Sequence, residues 1–415
     1  MVRAKERLKH LLRWSEQYTK TDMIYAARGG FWLTVGKIVL SATSFATMVV
    51  FANLLPAEIY GNYQFVLATV SVLTIFSLPG IKNALVRSVA RGDEGSFLTA
   101  FWVRMKWSVL TSIALGCVGL WYFWNEDVLL LAAFLVAAFL FPLRMAEPTT
   151  EQFWQGRKQF NIQIATHLIV TFASAVAVMA TLWVTDNLVY ILLAFFGVQA
   201  VFGIGVYLFT MSRLRNHRVD KDMVSYGKSL TVMSVIGTAA DHLDKILLFA
   251  FLPPAHLAVY SFAIDPVKKV KGFFSIKELA LPKLSQHGVA GEARKKKVFY
   301  KTLRLFAVSV PAAFLLAVSA PYIYEFIFPQ YVESVVYFQA LTVLVAFTPF
   351  AIFGASLLAE MKTTSQYILQ ITVPSLKILF FFVLIPLWGI WGVVFAIVVA
   401  EIVRGVLVTF LYWRM

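Results

Sequence analysis

Long apolar stretches follow one another along almost the whole chain, and they limit its possible folds more than any other feature. Each is about 20 residues long, the length of helix that crosses a hydrocarbon core of about 30 Å. About twelve spans are predicted, at residues 30–52, 63–89, 103–124, 128–147, 160–184, 188–211, 227–252, 257–283, 301–325, 333–359, 366–386 and 389–412. Since 60% of the residues are hydrophobic and 14% are charged, a soluble domain could not bury this surface. The chain is predicted to be an all-α polytopic membrane protein.

The connections between the predicted spans alternate in charge. Every second connection contains Lys or Arg, beginning with the N-terminal segment, whereas the others contain neither. Because cytoplasmic loops of membrane proteins retain Lys and Arg, the alternation places both termini in the cytoplasm. We expect the protein in the inner (plasma) membrane. The same rule accounts for most of the net charge of +15, so we expect no nucleic-acid partner.

A repeated unit divides the chain into halves. Residues 51–91 contain the end of one span, a short turn, a second helix broken near Pro79 and a basic exit, and a weaker copy begins at Phe249. Because each half has an even number of spans, two parallel six-helix lobes are expected, related by a pseudo-twofold axis along the membrane normal. The predicted units are a cytoplasmic amphipathic N-terminal segment (1–29), an N-lobe (30–211), a cytoplasmic linker (212–226) and a C-lobe (227–415).

Lysines inside the spans predict a cationic cavity between the lobes. An ionisable group within the bilayer is costly unless it faces water or a partner. Neighbouring carboxylates are too few to neutralise Lys37 or the group Lys268, Lys269 and Lys271. The full set of predicted substrate-binding cations is Lys37, Lys268, Lys269, Lys271, Arg144 and Lys377, and the predicted polar lining is Thr34, Ser41, Ser44, Ser234 and Thr238. Such a cavity would bind an anion.

Several acidic side chains also lie inside the predicted spans. Asp241 and Lys245 are four residues apart on one face of the seventh span, so they are expected to pair. The candidates for coupling protons or sodium are Asp241, Asp244, Lys245, Asp265 and Glu360. These groups could instead only hold the lysines in place.

The cytoplasmic ends of the spans supply a further basic set. Lys82, Arg87 and Lys277 are expected to line the entrance to the cavity, although each could simply extend to the membrane interface. Cys117 is the only cysteine, and the sequence contains neither a Cys/His metal spacing nor a GxxxxGK[ST] loop. We therefore expect no metal, no other cofactor and no ATP hydrolysis.

Four segments resemble the polysaccharide biosynthesis, or oligosaccharide flippase (Wzx-type), family of the multidrug/oligosaccharidyl-lipid/polysaccharide exporter (MOP) superfamily. They are FANLLPAEIYGNYQFV and SLPGIKNALVRSVAR in the first half, and DHLDKILLFAFLPPAHLAVYSFA and LALPKLS in the second. The resemblance implies a flippase rather than an enzyme. By alternating access, it would carry a polyprenyl-diphosphate-linked oligosaccharide to the outer leaflet for surface polysaccharide biosynthesis. The implied partners are this substrate, membrane lipid, and a polysaccharide polymerase with its chain-length machinery.

Three alternatives stay open. A drug/cation antiporter of the same superfamily should have carboxylates dominating its lobes, yet the first span offers Lys37 and no acid. A lipid II flippase often has two further C-terminal spans, which are not seen here. A membrane glycosyltransferase would need a sizeable outer loop or an acidic metal-binding group, whereas the predicted outer connections are short.

Overall fold

A computed structural model describes residues 23–273, 291–360 and 362–414, and almost all of them lie in helices. The helices of the first half are α1 (Met23–Leu54), α2 (Ala57–Leu73), α3 (Ile81–Ala90), α4 (Ser96–Trp124), α5 (Val128–Arg144), α6 (Ala146–Gly156), α7 (Phe160–Val184) and α8 (Leu188–Met211). Those of the second half are α9 (Met223–Phe251), α10 (Pro254–Phe273), α11 (Glu292–Ile327), α12 (Ser334–Leu341), α13 (Val343–Ala346), α14 (Ala351–Ala359), α15 (Thr363–Trp388) and α16 (Ile390–Trp413).

These helices confirm the predicted all-α architecture of about twelve spans in two six-helix lobes. Within the described ranges, ten helical segments are long and apolar enough to cross a membrane. The seventh and eighth predicted spans are α9 and α10, with 29 and 20 residues, and both carry several charged side chains. The chain is therefore a multi-pass membrane protein. Most of the predicted amphipathic N-terminal segment and the end of the eighth span lie outside the described residues.

The second span is broken at the predicted place. Helix α2 ends at Leu73, a 3-10 turn follows over Thr74–Ser77, and α3 begins at Ile81. Between them Leu78 adopts a left-handed backbone conformation with a φ of 54°. Proline disfavours the α conformation in the residue that precedes it, so Pro79 prevents a continuous helix through Leu78. The break makes α3 a separate helix.

Two glycines bring the lobes into backbone contact. A Cβ atom on Gly61 of α2 would lie 1.9 Å from the carbonyl oxygen of Pro254, and one on Gly80 would lie 2.4 Å from the carbonyl oxygen of Gly227. The backbone N–H of Gly80 also donates to Thr231 Oγ1 at 3.0 Å. Helices α2 and α3 therefore pack against α9 and the start of α10 at both ends of the second span.

Aromatic rings close the contact between the lobes elsewhere. Phe65 stacks on Phe249 with ring centroids 3.8 Å apart, and Tyr60 lies 4.7 Å from Phe262. Asn53 Nδ2, at the end of α1, donates to the backbone carbonyl of Ile327 at 3.2 Å. Because Asn53 and Tyr60 flank the first predicted outer turn, these contacts join the lobes at the end assigned to the outside.

The linker between the lobes is fastened to the N-lobe. It runs from the end of α8 at Met211 to the start of α9 at Met223, so it is shorter than predicted. Glu94 accepts hydrogen bonds from Arg157 Nε at 2.7 Å and from the backbone N–H of Arg215 at 2.7 Å. Burial alone would raise the pKa of Glu94, but these hydrogen bonds outweigh it and hold that pKa below its usual value of 4.5. The ionised carboxylate thus anchors the linker.

A Glu94→Gln substitution should release this anchor. Because it removes charge-assisted hydrogen bonds, amide exchange in residues 213–222 should become about tenfold faster or more. Hydrogen–deuterium exchange with mass spectrometry measures this, and Asp93→Asn is the matched control because its half-buried side chain neighbours Glu94. Since the folded-state pKa lies below the unfolded one, the wild-type linker should stay protected above pH 4.5 and lose protection only as the pH falls below that value. Equal exchange in both variants and the wild type would contradict the anchor.

Candidate functional site

A cavity of 480 Å³ lies between the lobes and is the first candidate site. Its C-lobe wall is the middle of α10, which contributes Asp265, Lys268 and Lys269. The N-lobe wall carries uncharged hydroxyl, amide, thioether and aromatic groups. Its polar and aromatic members are Thr43, Ser44, Thr47, Phe51, Tyr60, Tyr63, Gln64, Thr171, Ser174, Phe195 and Gln199. One wall of the cavity is therefore charged and the other is neutral.

A buried lysine of α9 joins the two walls. Lys245 Nζ donates to Gln64 Oε1 of α2 at 2.9 Å and lies 3.2 Å from an oxygen of Asp265. Gln64 in turn donates from Nε2 to the hydroxyl of Tyr60 at 2.6 Å. The Lys245 side chain is only 10% exposed, so its charge depends on these partners. The ion pair between α9 and α10 is thereby linked across the lobe interface.

The neighbouring carboxylate, Asp244, is fully buried. It accepts a hydrogen bond from the hydroxyl of Tyr260 at 2.6 Å and one from the backbone N–H of Lys245 at 2.8 Å. These bonds replace the water that an ionised carboxylate loses on burial. Asp244 therefore fixes α9 against α10 rather than facing the cavity.

A second cavity, of 730 Å³, lies within the C-lobe. Lys271 Nζ contacts Glu401 Oε1 there at 2.6 Å, and Lys377 Nζ lies 3.6 Å from Asp241. Ser234 and Thr238 also line it. Three polar residues of the seventh predicted span, Ser234, Thr238 and Asp241, thus line this cavity.

The predicted cations are divided differently from our expectation of one cavity. Lys268 and Lys269 border the cavity between the lobes, whereas Lys271 and Lys377 border the C-lobe cavity and contact carboxylates. Lys245 pairs with Asp265 rather than with Asp241. Lys245 and Asp241 do not pair because α9 packs between two helices. Lys245 contacts Asp265 of α10, whereas Asp241 contacts Lys377 of α15.

The remaining predicted residues lie on α1 and α5, and of these only Ser44 is among the described residues that line either cavity. Lys37 and Ser41 are half-buried on α1, Thr34 is exposed, and Ser44 two turns after Lys37 lines the cavity between the lobes. Arg144, at the end of α5, has its guanidinium 5.6 Å from the ring centroid of Phe196.

The described entrance residues, Lys82 and Arg87, and the acidic residue Glu360 line neither of these two cavities. Lys82 is half-buried on α3, and the Arg87 guanidinium lies over the ring of Tyr226 at 4.8 Å. Glu360 is half-buried just after α14. Lys277 lies outside the described residues.

Gln64, Tyr60 and Tyr63 are site residues that the sequence analysis missed. A signal was present, because Gln64 is an amide within a predicted span and Tyr60 precedes it by one helical turn. Polar side chains in such a span usually face a cavity or another helix. The sequence did not show that their partner would be Lys245.

The fold resembles those of solved transporters of the MOP superfamily. An inward-facing multidrug resistance transporter of the MATE family matches with a TM-score of 0.68 and 13% identity, covering 92% of this chain and 97% of the other. The lipid II flippase MurJ, in an inward closed conformation, matches with a TM-score of 0.68 and 12% identity, covering 92% of this chain and 87% of the other. A MOP superfamily transporter from Pyrococcus furiosus, described as having a binding pocket of reverse polarity, matches with a TM-score of 0.63 and 13% identity. The match covers 92% of this chain and 95% of the other. At these identities the likeness shows the fold.

The sequence itself matches a protein family. No match exists among curated proteins, but residues 26–287, more than half of the chain, match the family described as polysaccharide biosynthesis protein. The chain therefore belongs to the polysaccharide biosynthesis protein family.

Proposed function

We propose that the protein is a flippase for a polyprenyl-diphosphate-linked oligosaccharide, which it moves from the cytoplasmic to the outer leaflet of the inner membrane by alternating access. The observation that carries the proposal is the cavity between the lobes, in which Lys268 and Lys269 face a neutral wall. Membership of the polysaccharide biosynthesis family supports the same class of substrate.

The charged wall suits a diphosphate. Lys268 has its side chain open to the cavity, and the nearest described polar contact of Lys269 is the thioether of Met48 at 3.9 Å. Asp265, the carboxylate of this wall, is already engaged by Lys245. Ammonium groups replace water around phosphate oxygens with charge-assisted hydrogen bonds. These contacts support Lys268 and Lys269 as the groups that would bind the headgroup.

The neutral wall suits a sugar. Hydroxyl and amide groups such as Ser44 and Gln199 form hydrogen bonds with sugar hydroxyls, and the rings of Tyr63 and Phe195 offer apolar faces. Their ring centroids are 6.1 Å apart with the planes at 79°, so they form a corner. An oligosaccharide could thus occupy the N-lobe side while the polyprenyl chain stays in the bilayer.

Two of the three rival functions fit the described site less well. The carboxylates of a drug/cation antiporter would have to be available to a cation in the cavity between the lobes, whereas Asp265 is paired with Lys245 and Asp244 is fully buried. A membrane glycosyltransferase would need room for a catalytic loop, but α1 to α2 and α9 to α10 are joined by two residues each. A lipid II flippase would use similar headgroup chemistry, so the sugar wall must discriminate between it and our proposal.

A Lys268→Glu substitution should reduce surface polysaccharide export by about tenfold or more, because a carboxylate at this position would repel the diphosphate. Export is measured as surface polymer in cells whose own gene is deleted, with the amount of protein in the membrane determined in parallel. Lys296→Glu, an exposed lysine on α11, is the matched control and should export normally. Normal polymer from a protein with Lys37, Lys268, Lys269 and Lys271 all changed to Gln would refute the cationic cavity.

The pair of Asp241 and Lys377 is our candidate for ion coupling, because it lies in a cavity and Asp241 is exposed there. If it carries the coupling proton or sodium, Asp241→Asn should flip substrate at the same rate with and without an ion gradient. Translocation in proteoliposomes measures this, with wild-type protein expected to respond to the gradient. A variant that responds as the wild type does would remove Asp241 from coupling.

A further inference from the structure

Two neighbouring helices of the N-lobe face each other with four groups that are typical metal ligands. Helix α6 carries Glu147 and Glu151, and α7 carries Gln163 and His167. Each pair is spaced by four residues, which places both members on one face of its helix. Glu147 lies opposite His167 and Glu151 lies opposite Gln163, as the register of antiparallel helices requires. Pairs of ligands from facing helices are a common way to hold a metal within a helix bundle.

The ligand atoms converge. His167 Nδ1 lies 2.6 Å from Glu147 Oε1, and Gln163 Nε2 donates to Glu151 Oε1 at 3.3 Å. Single ligand atoms of Glu147, Glu151 and His167 all lie within 4.8 Å of one another. The two helices therefore need only small side-chain movements to surround one ion.

Gln163 provides an independent sign of a missing ligand. Its side chain is 5% exposed, and its Oε1 has no hydrogen-bond partner among the described residues. A buried carbonyl without a donor is costly. A half-turn of the amide would place Oε1 beside the Glu151 carboxylate, where a cation would satisfy both oxygens. The Gln163 amide therefore already reaches Glu151, and after this half-turn its Oε1 would face the same point as the other three ligands.

We propose that Glu147, Glu151, Gln163 and His167 form a site for a divalent transition-metal ion such as Zn²⁺. An imidazole nitrogen with two carboxylates and an amide oxygen favours such an ion over Na⁺, Mg²⁺ or Ca²⁺, which prefer oxygen ligands throughout. The ion takes the place of the proton between His167 Nδ1 and Glu147, so binding releases a proton. It would tie the end of the fourth span to the fifth, in the half of the N-lobe that the charge pattern places near the cytoplasm.

Three cations limit how tightly the site can bind. Lys82, Arg104 and Arg144 all interact electrostatically with Glu147. Arg104 is held in place by Thr149 at 3.0 Å and by the thioether of Met145 at 3.2 Å, so it stays when the metal enters. Lys82 is half-buried on α3, and its flexible side chain can turn away from the carboxylates. The site is thus suited to reversible rather than permanent binding.

The test is direct metal binding to the full-length protein. The protein is purified with a tag free of histidine, reconstituted in nanodiscs, stripped with EDTA and titrated with Zn²⁺ by calorimetry, and with Co²⁺ by visible absorption. The wild type should bind one Zn²⁺ per chain, and Glu151→Gln and His167→Asn should each weaken binding by about tenfold or more. The matched controls, Glu333→Gln and His256→Asn, alter exposed residues elsewhere and should bind as the wild type does.

A gain of affinity separates the site from simple loss of folding. Gln163→Glu adds a third carboxylate to the ligand set, so it should tighten Zn²⁺ binding by about tenfold, which a misfolded protein could not do. The proposal is overturned if the wild type shows no saturable binding, or if Glu151→Gln and His167→Asn bind as tightly as the wild type. Unchanged or weaker binding by Gln163→Glu would exclude Gln163 as a ligand.

Discussion

The arrangement of the two lobes depends on a lysine that cannot be buried alone. Lys245 is 10% exposed and bonds to Asp265 of its own lobe and to Gln64 of the other. Removing a charge from water costs several kcal/mol, and only good partners offset that cost. Because one partner belongs to each lobe, the charge is satisfied when the two lobes meet at this point. Any motion that parts them here must supply Lys245 with water or with a ligand.

This constraint gives the lobes different chemistry. In the cavity between the lobes, the C-lobe wall carries the cations of α10, whereas the N-lobe wall carries hydroxyl, amide and aromatic groups. A substrate with an anionic headgroup and neutral sugars would contact both lobes at once. The headgroup would also lie beside the Lys245 pair, so we propose that substrate binding and separation of the lobes are coupled at that place.

The sequence predicted where the helices lie along the chain better than which helices pack against each other. The apolar spans and the break near Pro79 follow from local rules of length and backbone geometry, and the structure confirms them. Periodicity placed Ser234, Thr238 and Asp241 on one face of the seventh span, and all three line one cavity. It placed Asp244 and Lys245 on the same face, but these contact Tyr260 and Gln64 instead. It could not reveal that Lys271 would meet Glu401, which is far along the chain. A helix pattern identifies a face but not the helix that packs against it.

The same limit explains the four groups on α6 and α7. Metal spacings within one segment can be recognised from sequence, whereas Glu147 and Glu151 meet His167 only because their helices are antiparallel neighbours. The sequence also could not show which residue the predicted entrance cation Arg87 would contact. Its guanidinium lies over the ring of Tyr226 on α9, in the other half of the chain.

We propose that Lys268 and Lys269 recognise a diphosphate. The most direct test of this claim compares the affinity of the purified protein for a polyprenyl-diphosphate-linked disaccharide with its affinity for the same disaccharide on a neutral polyprenyl ether. Charge-assisted hydrogen bonds should make the diphosphate-linked lipid bind at least about tenfold more tightly than the neutral ether lipid. Changing Lys268 and Lys269 together to Gln should abolish that difference. Equal affinities of the wild-type protein for the two lipids would contradict the claim.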